Sequence, residues 1–142
     1  MRNSRNILYI LLERYLKKVY INKIMVVEKI STGSDVIDFL LAGGFETDAI
    51  SIIYGPPGSG KTNLCILTLK ELVNKGKKVI YVDTEGGFSV ERLKQLCPDN
   101  YESVLSHVYF LRPNTFEEQK KAFSKLNNIV NDHIGLIIVD SI

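Results

Sequence analysis

The sequence predicts an α/β domain of three layers with a mainly parallel sheet, and three observations carry that expectation. Between residues 49 and 140, apolar runs of strand length alternate with segments of helical periodicity. A glycine loop of the form G-x-x-x-x-G-K-[ST] joins the first of these runs to the first long helical segment. The last run, Leu136-Ile137-Ile138-Val139, closes in an acid, Asp140. Apolar strands, a phosphate-type loop and a terminal aspartate in that order describe a sheet whose C-terminal edge is a ligand site.

With 142 residues the chain holds one domain with a real core. At 45% hydrophobic and 24% charged it has the composition of a soluble globular protein. The net charge of +2 is unevenly spread. Residues 1–24 carry Arg2, Arg5, Arg14, Lys17, Lys18 and Lys23 against Glu13 alone, which leaves twelve basic and fifteen acidic groups in residues 25–142. The main part of the chain therefore has no basic excess of the kind that marks a nucleic-acid surface. Cys65 and Cys97 lack metal-ligand spacing and read as reduced thiols of a cytoplasmic protein, in preference to a disulfide.

The N-terminal apolar run, residues 7–12, is too short to span a bilayer and is followed by no small-residue cleavage site. Continued to Ile21 it forms a basic amphipathic helix, suited to a partner or a membrane surface. Met25 is the only other methionine, so residues 1–24 read equally well as an upstream extension of the reading frame. No function is assigned to them, and no membrane partner is expected of the chain.

From Met25, Val26 and Val27 lead into a short extended stretch ending at Gly33. Ser34 then offers an N-cap for a short helix with Val36, Ile37, Leu40 and Leu41 on its apolar side, stopped by Gly43 and Gly44. The run Ala49-Ile50-Ser51-Ile52-Ile53-Tyr54 reads as a strand, and residues 63–75 as a helix ended by Gly76. Val79-Ile80-Tyr81-Val82 reads as a buried strand leading into Asp83-Thr84-Glu85-Gly86-Gly87. Ser89 caps the next helix, Phe88 and Leu93 form a hydrophobic staple, and Val90, Leu93 and Leu96 make its buried stripe up to Pro98. Val108-Tyr109-Phe110-Leu111 is a further strand. Thr115 and Glu118 form a capping box for a helix whose apolar face carries Phe116, Phe123, Leu126 and Val130. His107 and His133 have no ligand spacing and read as surface or strand-edge residues.

The loop residues Gly55, Pro56, Pro57, Gly58, Ser59, Gly60, Lys61 and Thr62 carry the chemistry. Glycines let successive backbone N–H groups turn inward as an anion nest, and the helix that follows adds partial positive charge. Lys61 is expected to reach the β- and γ-phosphates, and the Thr62 hydroxyl to ligate Mg²⁺. Asp140, at the end of the last strand, is the second expected Mg²⁺ residue. Glu85 stands at the C-terminal end of a parallel strand, on the edge where the phosphate loop opens. There it either positions the attacking water or is a solvated acid of the turn.

These motifs resemble the ATPase core of the RecA/RadA recombinase superfamily, a three-layer P-loop NTPase fold. Ser31-Thr32-Gly33-Ser34 with the later Gly43-Gly44-Phe45 looks like the entry to that core, shared with KaiC-like relatives. Val82-Asp83-Thr84-Glu85-Gly86 resembles the second-strand signature whose glutamate is catalytic. Glu85-Gly86-Gly87-Phe88 is similar in pattern to the archaeal RadB branch, although a proline is usual where Val90 stands. The resemblance implies ATP and Mg²⁺ as cofactors, catalytic roles for Lys61 and Glu85, and weak ATP hydrolysis by the full-length protein. It also implies action in homologous recombination and DNA repair, with DNA as partner and a recombinase such as RadA or a branched-DNA nuclease as a second one.

On the same resemblance, residues 25–142 are the N-terminal part of the core, and DNA contacts are expected beyond Ile142. A core that stops after its aspartate strand is expected to be inactive and aggregation-prone, because a central strand is missing. Phe39-Leu40-Leu41-Ala42 matches the Phe-x-x-Ala pattern by which recombinases polymerise, but it falls inside a helix and reads as packing. A KaiC-like regulatory ATPase and a nucleotide-gated scaffold are the alternative functions.

Overall fold

Val79, Ile80, Tyr81 and Val82 are all buried, so their strand has helices on both faces and neighbours on both edges. In the computed structural model, which describes residues 28–140, this strand is β3 (Lys78–Asp83). It lies between β4 (Val108–Leu111) and β5 (Ile134–Asp140), parallel to both, in the order β4-β3-β5. The register sets Asp83 beside Asp140, so two acids stand together at the C-terminal edge. Residues 1–24, expected to form a basic amphipathic helix, lie outside the described residues.

Helices fill both faces. On one side α2 (Lys61–Asn74), α3 (Val90–Leu96) and α4 (Tyr101–Ser106) pack Ile66, Leu69, Leu72, Leu93 and Val104 against Val79, Tyr81 and Ile138. On the other, α5 (Phe116–Ile129) sets Leu126 and Phe123 against Ile80, Val82 and Val139. The result is the three-layer α/β arrangement expected from the alternation of runs. Two caps form as the sequence implies. Ser89 Oγ accepts from Arg92 N, and Thr115 Oγ1 accepts from Glu118 N, each over 3.2 Å. The return arm of the second cap is offset by one residue: Asn114 N donates to Glu118 Oε2.

Several expectations are corrected. Residues 49–54 pair with no strand of the described structure; Ile52 is 78% and Tyr54 92% exposed. An apolar run becomes a strand only when another backbone takes its N–H and C=O groups, and no described strand lies beside this one. The only antiparallel pair among the described residues, β1 (Lys29–Ile30) with β2 (Phe45–Glu46), is not legible in the pattern. Helix α1 (Asp35–Leu40) forms, but its apolar stripe is not buried. Val36 and Leu40 are exposed and Leu41 is marginally so, because no described element covers them. Phe39, in the Phe-x-x-Ala match read as packing, is 86% exposed. Ser34 occupies the cap position of α1 without a side-chain bond. Polar contacts hold the helix instead, since Asp38 accepts from Ser31 Oγ and Thr32 N, each over 2.7 Å. Phe116, expected on the apolar face of α5, is exposed under the Lys120 ammonium. Helix α4 has no clear signal in the sequence, being six residues of weak periodicity between Pro98 and β4. Among the described residues no helix is long and apolar enough to cross a membrane.

Candidate nucleotide-binding site

Residues 55–60 form the phosphate-type loop as a turn, with Ser59 N donating to Pro56 O over 3.2 Å. Gly58 and Gly60 take φ of 77° and 91°, left-handed values that a side chain makes costly. Gly60 is the N-cap of α2, and its carbonyl accepts the first helical bond from Leu64 N. The N–H groups of Lys61, Thr62 and Asn63 therefore have no intrahelical acceptor. Fourteen residues of helix point their positive end at this loop, and the first turn carries no acid to neutralise it. Gly58, Gly60, Lys61, Thr62 and Asn63 line a shallow cleft of about 200 Å³. Lys61 folds back over the loop, its Nζ donating to Gly55 O at 2.9 Å and Pro56 O at 3.0 Å.

The fold brings the two expected metal residues together across 78 positions of sequence: Thr62 Oγ1 donates to Asp140 Oδ2 over 2.9 Å. A hydroxyl beside a carboxylate is a hard-oxygen donor set of the kind Mg²⁺ takes, so the residues fit that ion. The turn carrying Glu85 closes over the same point. A Cβ on Gly87 would lie 3.7 Å from Asp140 Oδ2 and 3.9 Å from Thr62 Oγ1. Thr84 Oγ1 donates to the Asp140 carbonyl over 3.2 Å. Glu85 itself is exposed at this edge.

Two residues matter here whose roles the sequence does not mark, Asp83 inside the second-strand motif and Tyr81 ahead of it. Asp83, 2% exposed, accepts from Gly87 N at 2.9 Å and Phe88 N at 3.3 Å, with Arg112 Nε 3.7 Å away. It thereby clamps the turn that carries Glu85. Tyr81 OH donates to Asp140 Oδ2 over 2.8 Å. The strand period is the available signal, since it sets residues 79, 81 and 83 on one face, toward α2. Burial, then the bond to Asp140, pushes the Tyr81 phenol well above its usual range, so it stays a donor. Burial and then the Asp140 charge push the Cys65 thiol up to about 11. Both cysteines are free thiols. Among the described residues no group of three or more His, Cys, Asp or Glu is placed to hold a metal.

Comparison with known proteins places this geometry in a family. A model of the Rad51 family matches residues 23–142. The DNA repair and recombination protein RadB of Methanococcus maripaludis is 47% identical over 107 residues, covering 75% of this chain and 49% of that protein. The RadB proteins of Methanocaldococcus jannaschii and Thermococcus kodakarensis are 46% and 43% identical over 103 and 116 residues. These alignments cover 72% and 80% of this chain and 48% and 51% of those proteins. The crystal structure of the RadB recombinase superposes with a TM-score of 0.72 at 43% identity, over 80% of this chain and 51% of that one. The chain spans about half the length of the curated relatives it matches. The fold is thus the RecA-like P-loop α/β fold, and the chain belongs to the Rad51 family.

Proposed function

We propose that this chain carries the ATP and Mg²⁺ site of a RadB-type protein that acts in homologous recombination and DNA repair. The observation that carries the reading is the Thr62–Asp140 bond of 2.9 Å, which joins the phosphate loop to the end of the last strand. Bound Mg²⁺ would supply charge stabilisation on the phosphate oxygens. Gly58 and Gly60 shape the loop so that its N–H groups and those of the first turn of α2 receive phosphate oxygens. Lys61 exchanges the Gly55 and Pro56 carbonyls for the β- and γ-phosphates. The Thr62 hydroxyl would offer its lone pairs to the ion while its O–H bond stays intact and donates to Asp140. Glu85, held at the sheet edge by the Asp83 clamp, orients the attacking water.

In the full-length protein this site supports weak ATP hydrolysis, with DNA and a recombinase such as RadA or a branched-DNA nuclease as partners, in the cytoplasm. Lys61→Ala in the full-length protein is expected to weaken ATP binding about 100-fold, through loss of charge-assisted bonds to phosphate. Unchanged affinity would sink the assignment. Glu85→Gln is expected to keep binding and to lower turnover about 100-fold. Equal hydrolysis by both forms would remove Glu85 from the mechanism.

A further inference from the structure

Two hydroxyls converge on one oxygen of Asp140, and only one of them belongs to the phosphate-loop helix. Thr62 Oγ1 and Tyr81 OH donate to Asp140 Oδ2 over 2.9 and 2.8 Å. Thr62 can hold this bond and still offer lone pairs to a cation. Tyr81 has no such second duty, because it is fully buried in the core behind the site. Its ring is set by aromatic neighbours, Phe88 at 5.2 Å edge-on and Phe110 at 5.7 Å. Those two rings also meet each other at 4.6 Å. Three mutually packed rings leave the phenol one orientation, and its hydroxyl is aimed at the carboxylate.

A carboxylate at a strand end has a broad torsional well about its last bond and does not orient itself. A hydroxyl fixed from the core supplies the missing restraint. Hydrogen bonds behind a metal-binding residue tune affinity in this way. We infer that Tyr81 is the positioning residue of the metal site, its hydroxyl locking the Asp140 carboxylate in the orientation that serves Mg²⁺. The inference rests on the ATP and Mg²⁺ reading above. It assigns to Tyr81 a role beyond core packing, and the two roles separate by experiment.

Tyr81→Phe in the full-length protein keeps the ring and removes only the hydroxyl. Binding of N-methylanthraniloyl-ADP is followed by fluorescence while Mg²⁺ is titrated, and again in EDTA. The Mg²⁺ half-saturation point rises about 10-fold, while affinity in EDTA stays at the wild-type value. Phe110→Leu loosens the same ring cluster and keeps the hydroxyl, so it lowers the melting temperature and leaves the Mg²⁺ dependence in place. An unchanged Mg²⁺ dependence in a cooperatively melting Tyr81→Phe protein overturns the inference. An equal shift from Phe110→Leu also overturns it, since packing would then be the cause. Probe binding by the wild type that ignores Mg²⁺ would instead overturn the reading of the site itself.

Discussion

Helices α2 and α1 both carry apolar residues at helical spacing, and the fold treats them in opposite ways. Ile66, Leu69, Leu72 and Val73 of α2 are buried, whereas Val36, Phe39 and Leu40 of α1 face solvent. The two apolar runs that flank the phosphate-loop unit diverge likewise. Residues 79–82 are the buried centre of the sheet, and Ile50, Ile52 and Tyr54 are exposed. Apolar spacing expresses a demand for burial, and neighbours decide whether it is met. Helix α2 meets it with the sheet on one side and α3 and α4 on the other. Helix α1 is tied down by the Asp38 carboxylate and the half-buried Ile37.

The contrast can be tested most sharply by truncation. Leu69→Ala removes a side chain with no exposure and is expected to cost about 2–5 kcal/mol in stability. Phe39→Ala, at 86% exposure, is expected to cost less than about 0.5 kcal/mol. Denaturant melts of both variants measure this, and an equal loss would mean that α1 is covered in solution. The two serine caps offer a finer comparison. Ser89→Ala removes a formed cap bond and is expected to cost about 1 kcal/mol, while Ser34→Ala, which removes none, changes stability by a few tenths at most. A Ser34→Ala loss matching Ser89→Ala would show a cap bond that the structure lacks.

The smallest expected effect is on acid stability. The Ser31 hydroxyl first, then the Thr32 N–H, holds the Asp38 carboxyl below its ordinary 3.8. A depressed carboxyl stabilises the fold above its unfolded value and loses that contribution as pH falls through the folded one. The melting-temperature gap between wild type and Asp38→Asn should therefore be widest near neutrality and close below about pH 4. A gap independent of pH would remove Asp38 as the anchor of α1.

Much of the site is legible in the amino-acid sequence alone. The loop from Gly55 to Thr62, the acid ending β5, and the caps at Ser89 and Thr115 depend on chain-local chemistry. A glycine at positive φ and a hydroxyl one turn from a free N–H announce themselves within a few residues. The Tyr81 hydroxyl and the clamp made by Asp83, a residue already inside the second-strand motif, are not legible, because their partners Asp140, Gly87 and Phe88 are chosen by strand register and loop closure. A tyrosine in an apolar run looks like core, and in this fold its ring is core while its hydroxyl is not.

The sequence by itself determined the alternation of the long helices with the sheet strands from residue 61 onward, the family, and which residue types meet phosphate and cation. Each of these rests on short-range periodicity or on a motif whose parts are close in the chain. Only the tertiary structure decided that β3 is central, that Thr62 and Tyr81 converge on one oxygen of Asp140, and that residues 49–54 remain unpaired among the described strands. Strand pairing, shared acceptors and burial each need a second segment brought from far away in sequence. A local pattern states what a segment can offer, and the assembled fold sets which partner receives it.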